Sequence, residues 1–205
     1  MVIIIDYGMG NLRSVYNKLK RIGCPSEISS DSHVIDKADK LILPGVGHFA
    51  NGMKKLSDRN LVNILNNKVL IAKTPILGIC LGMQLLGTFS EEGSIGGLGW
   101  IDAKTILFRI PDADKYRFKV PHMGWNDVRI NIGSKLFRDI QLNAQFYFVH
   151  SYHYVTNAKN MITGITNYCY DFVSCVEKDN IYGTQFHPEK SQDAGIQLLK
   201  NFINL

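Results

Sequence analysis

A chain of 205 residues, 45% hydrophobic and 20% charged, has ordinary globular composition and enough length to bury one sizeable core. Its formal net charge of +5 comes from scattered Lys and Arg, as at Lys18/Lys20/Arg21 and Lys115/Arg117/Lys119, with no basic stripe alternating with aromatics; this argues against a nucleic-acid partner but leaves a basic face to attract a phosphorylated substrate or an acidic partner protein. Four cysteines without a CxxC pair argue against a disulfide framework or a thiolate metal site, and no stretch has the length of a membrane span or secretory segment, so a cytoplasmic chain with no membrane partner is expected.

Val2-Ile3-Ile4-Ile5 reads as a strand buried on both faces, the pattern of an inner strand in a parallel sheet. It ends in the turn Asp6-Tyr7-Gly8-Met9-Gly10. From Asn11 onward, Leu12, Val15, Tyr16, Leu19 and Ile22 share one helical face, and Gly23 with Pro25 supplies the stop. The unit then recurs. Lys40-Leu41-Ile42-Leu43 is a strand ending in Pro44-Gly45-Val46-Gly47, a helix is predicted over 49–68, and a strand over 75–79 enters a helix over 81–86. This alternation predicts an α/β fold with a central, mostly parallel sheet flanked by helices. The glycine-rich GSIGGLGW then breaks the rhythm. Strands predicted over 106–110, 128–130, 146–149, 162–166, 172–176 and 181–186 follow as additional antiparallel strands, and a helix over 193–202 closes the fold. No repeat, low-complexity segment or linker divides the chain, so 1–205 is read as a single domain.

Within this frame Gly78-Ile79-Cys80-Leu81-Gly82 carries a strand straight into a helix. That is the cysteine form of a nucleophile elbow, where the nucleophile sits on a strained turn and its neighbours must be small. The turn places the sulfur at a helix N-terminus, whose dipole favours the reactive thiolate, and aims the backbone N–H of Leu81 at the reaction centre. Taken alone, a buried inert cysteine between packing glycines explains the motif equally well. A base is needed. The strand over 181–186 ends in His187-Pro188-Glu189, which puts an imidazole and a carboxylate at the mouth of the sheet: His187 to move the thiol proton, Glu189 to orient the ring. A surface His beside a solvated Glu is the bland alternative for that pair. Pro44-Gly45-Val46-Gly47 can present backbone N–H groups to an anionic oxygen, although PGxG is also an ordinary turn. Reading His150, His153, His187 and Glu189 as metal ligands is disfavoured, because HxxH here falls in a predicted strand.

In order, PGVG, GICLGMQ and QFHPEKS resemble the class I, triad-type glutamine amidotransferases. IDYGMGNL, VPHMGWN and YFVHSYHYV are more narrowly similar to the glutaminase subunits of imidazole glycerol phosphate synthases, over essentially the whole chain. The resemblance implies the flavodoxin-like amidotransferase fold. It implies Cys80 as nucleophile on the side-chain amide of glutamine, His187 as proton donor to the departing ammonia and Glu189 as its orienting partner. It also implies an oxyanion hole from Gly45, Val46, Gly47 and Leu81, and glutamine contacts from Gly47, Gln84, His150, Ser151 and Tyr152. No cofactor and no metal are implied. The partner implied is a (β/α)₈-barrel cyclase subunit, forming a heterodimer that receives the ammonia, with Tyr7, Asn11, Met123, Trp125 and Lys190 near the interface; a core position for Trp125 is the competing reading. The chain departs from the pattern at IDAKTILF, at the charged run PDADKYRFK and at His153. Those departures suit an alternative, a paralogous subunit supplying ammonia to amidinate a bacterial surface-polysaccharide sugar.

Overall fold

Four consecutive apolar residues form β1 (Val2–Ile5), and all four are buried: Ile3 and Ile5 join the core on one face of the sheet, Val2 and Ile4 the core on the other. The computed structural model describes all residues, Met1–Leu205. The other strands of the first half are β2 (Ser26–Ser29), β3 (Lys40–Gly45), β4 (Ile76–Cys80), β5 (Phe89–Ser90), β6 (Ile95–Gly96) and β7 (Lys104–Leu107). Those of the second are β8 (His122–Asp127), β9 (Arg129–Ile130), β10 (Gln145–His150), β11 (Tyr152–Val155), β12 (Ile162–Tyr168), β13 (Tyr170–Lys178) and β14 (Ile181–Thr184). The helices are α1 (Leu12–Arg21), α2 (Ser32–Asp36), α3 (Phe49–Asp58), α4 (Leu61–Asn66), α5 (Leu81–Leu85) and α6 (Gln192–Ile203).

The main sheet runs β2-β1-β3-β4-β14-β13-β11-β7-β5-β6. Its first five strands are parallel, and β14 to β7 pair antiparallel. Helices α1 and α6 bury Val15, Leu19, Leu198, Leu199 and Phe202 against one face, while α2 to α5 bury Ile35, Phe49, Leu56, Leu61, Leu65 and Leu81 against the other. Burial on both faces is what lets the inner strands be continuously apolar. The predicted fold class is therefore observed.

Several local expectations are corrected. The helix predicted over 49–68 is two, because Asn60 takes a left-handed conformation (φ +55°) and ends one helical run before the next begins at Leu61. Strand β2 escaped detection because it is the sheet's outer strand and carries polar Ser26 and Glu27. The VPHMGWN segment, which lies outside every strand predicted from the sequence, contains one: β8 pairs antiparallel with β10 in a separate two-stranded ribbon.

Candidate active site

Strand register builds the site. Gly45 of β3 lies opposite Cys80 on β4, and Thr184 of β14 lies opposite Ile79, so the chain leaving β14 at Gln185 passes Cys80 on its other side. All three are C-terminal strand ends, where open α/β sheets place their sites.

Cys80 sits at φ +54°, ψ −110°, a strained conformation for a residue with a Cβ. The flanking glycines explain how the turn closes. A Cβ on Gly82 would stand 1.7 Å from the Leu43 carbonyl oxygen, and one on Gly78 would stand 2.7 Å from the Met83 nitrogen. The elbow is thus a place where backbones touch, as the motif predicts. Helix α5 has only five residues, so the helix dipole invoked from the sequence is short and local donors matter more.

His187 Nδ1 lies 2.8 Å from Glu189 Oε1, with both side chains 2% exposed. That contact fixes the ring and leaves Nε2 without a hydrogen-bond partner, as the atom free to exchange a proton with Cys80. Burial pushes the His187 imidazole toward its neutral form, but the negative charge available at Cys80 and at Glu189 outweighs this and holds it above the ordinary histidine range. The His187 loop is clamped to β10: its N–H donates to the Tyr147 carbonyl (2.9 Å), and Ser191 Oγ donates to the His187 carbonyl (2.6 Å) while accepting from the Tyr147 N–H (3.0 Å).

A cavity of about 340 Å³ opens onto Cys80, lined by Val46, Gly47, Leu81, Gln84, Ser151 and Tyr152 among others, a size suited to a small ligand. A larger groove of about 690 Å³, with Lys73, Arg138 and Asp179 on its walls, lies near the opposite strand ends and is lined by no cysteine or histidine. Of the residues expected at the oxyanion hole, Val46, Gly47 and Leu81 line the cavity. Gly45 does not: it is buried beneath the elbow, where a Cβ would meet the Tyr7 hydroxyl at 2.4 Å and the Gly82 nitrogen at 2.9 Å.

Gln84 Nε2 donates to the Tyr152 carbonyl (3.1 Å) and to Gln185 Oε1 (3.0 Å), so only its carbonyl oxygen remains to face a ligand. His150 lines the cavity, but both its ring nitrogens are committed, Nδ1 to the Tyr152 carbonyl (2.8 Å) and Nε2 to His122 Nδ1 (3.0 Å); its side chain has nothing left for a substrate. Because a carbonyl only accepts, Nδ1 carries the His150 proton, Nε2 accepts, and His122 Nδ1 must donate. Burial depresses both rings, His122 to about 4 and His150 well below the usual value, which keeps the pair neutral. The unexpected His153 bonds to the Tyr154 carbonyl and Tyr170 hydroxyl within the same aromatic cluster.

Two residues escaped the sequence reading. Glu92 puts a carboxylate in the cavity wall while accepting from the Phe49 N–H at 2.7 Å, and Gln185 brings Nε2 to 3.6 Å from Cys80 Sγ. Glu92 lies in the segment where periodicity fails, and Gln185 opens the QFHPEKS motif, of which only His187, Glu189 and Lys190 carry an expected role. Of the residues expected at a partner interface, Met123 (63% exposed) and Trp125 (45%) project from β8, Asn11 is exposed and caps α1, and exposed Lys190 lies over the Tyr147 ring. The core reading of Trp125 is overturned. Tyr7 is corrected too: it is fully buried in the core, because the turn after β1 folds its ring under β3 instead of outward.

Comparison with known proteins agrees with this geometry. The family model for glutamine amidotransferase class-I matches residues 3–205. A Methanococcus maripaludis protein named imidazole glycerol phosphate synthase subunit HisH 2 is 52% identical over 99% of this chain and 98% of its own. One of the same name from Pseudomonas aeruginosa is 46% identical over the full length of both. Among solved structures, one described as a glutamine amidotransferase superposes with TM-score 0.74 at 16% identity, covering 100% of this chain and 98% of its own. A putative GMP synthase component from Thermoplasma acidophilum superposes with 0.73 at 19%, covering 99% and 92%. With a cysteine elbow, a buried His–Glu pair and a whole-chain family match in hand, this chain belongs to the class I glutamine amidotransferases and is a glutaminase-type enzyme.

Proposed function

We propose that this chain is the glutaminase subunit of an imidazole glycerol phosphate synthase, a single-domain cytoplasmic protein that hydrolyses glutamine and passes the ammonia to a (β/α)₈-barrel cyclase in histidine biosynthesis. The observation that carries the reading is whole-length similarity at 40–52% identity to proteins of that name. Four unpaired thiols suit a reducing compartment.

In the proposed mechanism Cys80 Sγ attacks the side-chain amide carbon of glutamine. The oxygen that becomes anionic is met by the backbone N–H of Leu81 and by the Val46-Gly47 turn, where Gly47 holds φ +108°. His187 Nε2 protonates the departing nitrogen, ammonia leaves, and a γ-glutamyl thioester remains. Water then attacks that thioester with His187 as base, releasing glutamate. Glu189 stabilises the imidazolium throughout. Glu92 supplies the carboxylate that pairs with the α-ammonium of glutamine, and Gln84 offers its free Oε1 as an acceptor. The partner seats on Met123 and Trp125, which the alternation of β8 turns outward while His122 and Asn126 turn inward, with Asn11 and Lys190 at the margin.

A second reading is kept because some relatives are numbered, as HisH 2 in M. maripaludis and P. aeruginosa and HisH 1 in Campylobacter jejuni. Numbering suits organisms with more than one such subunit, and a paralogue could feed a synthase that amidinates a surface sugar. Glutamate release separates the two. Activity of this protein that rises strongly on adding a histidine-pathway cyclase with its nucleotide ligand, and vanishes in Cys80→Ala, is the expected result. No stimulation, while Cys80 still reacts with a glutamine-analogue affinity label, would overturn the histidine assignment in favour of the paralogue. Full activity in Cys80→Ala would overturn both.

A further inference from the structure

We propose that Gln185 is a positioning residue for the nucleophile: its side-chain amide donates to Cys80 Sγ and favours the thiolate, in an orientation imposed by Gln84 and the Tyr152 carbonyl. The inference rests on Cys80 being the nucleophile.

An amide can face a neighbour with either end, and here the choice is forced. The Tyr152 carbonyl only accepts, so Gln84 must present Nε2 to it, at 3.1 Å. The second proton on that nitrogen points to Gln185 at 3.0 Å, so Gln185 must present Oε1 there. Its Nε2 is then left facing Cys80 Sγ at 3.6 Å. A flipped Gln185 would set two N–H groups against each other and an oxygen against the sulfur. The anchor itself is braced, because the same Tyr152 carbonyl accepts from His150 Nδ1, whose other nitrogen accepts from His122. Gln185 is completely buried, and its backbone N–H is tied to the Ser174 carbonyl at 2.8 Å, so the side chain has little freedom to turn away.

The consequence for the sulfur follows from what else touches it. The Val149 carbonyl, 3.8 Å away, can accept from a thiol but repels a thiolate. Gln185 does the reverse, since an N–H donor gains strength when its acceptor becomes charged. The two contacts oppose each other, and Gln185 tips the balance toward the reactive form. The titratable groups facing this point are His187, with Glu189 behind it, and Tyr7 below; Glu92 and His150 sit in the cavity wall.

Gln185→Glu keeps the shape and the acceptor for Gln84 but turns an oxygen on the sulfur; Gln185→Met removes both bonds without adding charge. Iodoacetamide labelling of Cys80, followed across pH by mass spectrometry, should shift its midpoint upward by about one unit in a folded Gln185→Met, the size expected for losing one hydrogen bond to a charged group, and further in a folded Gln185→Glu, whose oxygen also repels the thiolate. At pH 7 the glutaminase kcat should fall up to about tenfold, with KM for glutamine changed less than twofold, a split that loss of packing alone would not produce. Midpoints equal to wild type in a folded variant would overturn the proposal. A measurement on the unaltered protein guards against variants that do not fold: the Gln185 side-chain amide protons should shift in NMR with the same pH midpoint as Cys80 labelling, and shifts that ignore that titration would equally overturn it. Failure of Cys80 to react with a glutamine-analogue electrophile would instead strike the nucleophile assignment, a separate result.

Discussion

The neutral histidine pair behind the cavity makes acid stability a quantitative test. His122 is held at about 4 against an ordinary value near 6.5, so it takes up a proton in the unfolded chain at a pH where the folded protein refuses one. A depressed folded value means the stabilisation is complete above the unfolded value and is lost as pH falls toward the folded one. Between pH 8 and pH 5 this amounts to about 2 kcal/mol for His122 alone, and His150, depressed still further, adds in the same direction. The depressed carboxyls of Asp39, Glu91, Asp112 and Asp171 act only below this window. His187 overlaps the upper part of this window with opposite sign: raised, it stabilises fully below pH 6.5 and loses that stabilisation as pH climbs, so only the comparison with a variant that keeps His187 isolates the His122 contribution. His122→Phe isolates the effect, since a phenyl ring can keep the stacking on Phe148 (4.9 Å) and Tyr168 (4.0 Å). Urea unfolding at pH 8 and pH 5 is the assay. The variant should start lower at pH 8, because His150 Nε2 and Asn126 lose a partner, yet its decline to pH 5 should be smaller by about 2 kcal/mol, roughly 1 M in midpoint for a urea slope of about 2 kcal/mol/M. Equal declines in the two proteins would refute the neutral-pair reasoning.

Gly82→Ala should cost at least about 3 kcal/mol, because the clash with the Leu43 carbonyl is backbone against backbone and far exceeds the roughly 1 kcal/mol of helix propensity that alanine brings; urea unfolding checks it, and a neutral result would mean α5 can lift off β3. Tyr7→Phe should stabilise by about 1 kcal/mol, since the Tyr7 hydroxyl is buried with no partner; a loss of stability in thermal unfolding would show that the hydroxyl is satisfied after all. Glu92→Gln should raise KM for glutamine about tenfold or more with kcat little changed, as expected for losing a charged partner to the α-ammonium, and an unaltered KM would remove Glu92 from substrate binding.

What was readable in the sequence was what the backbone dictates locally. Gly78 must be small to clear its own turn at Gly82 and Met83, although Gly82 must also clear the Leu43 carbonyl of β3, and Val2–Ile5 is apolar throughout because both faces of β1 are covered. The break between α3 and α4 was hidden since Leu56, Leu61 and Leu65 keep a plausible apolar face across it while Asn60 alone reverses the chain. Tyr7 looked like a surface turn residue because its burial depends on β3 arriving above it, a contact no local pattern announces.

Side-chain assignment failed for the same reason on a larger scale. Gln84 and Gln185 are 101 positions apart, and what each can offer a ligand is decided by the other and by a backbone carbonyl at Tyr152. A motif can nominate Gln84 as a substrate contact, yet only the completed network says that its nitrogen is already spent and its oxygen is the end that remains. His150 is the converse case: the motif nominates it and it lines the cavity, but the network withdraws its side chain by committing Nδ1 to the Tyr152 carbonyl and Nε2 to His122. In a fold whose site is assembled from the ends of β3, β4 and β14, the register decides which residues meet, and hydrogen-bond direction decides what each of them can still do.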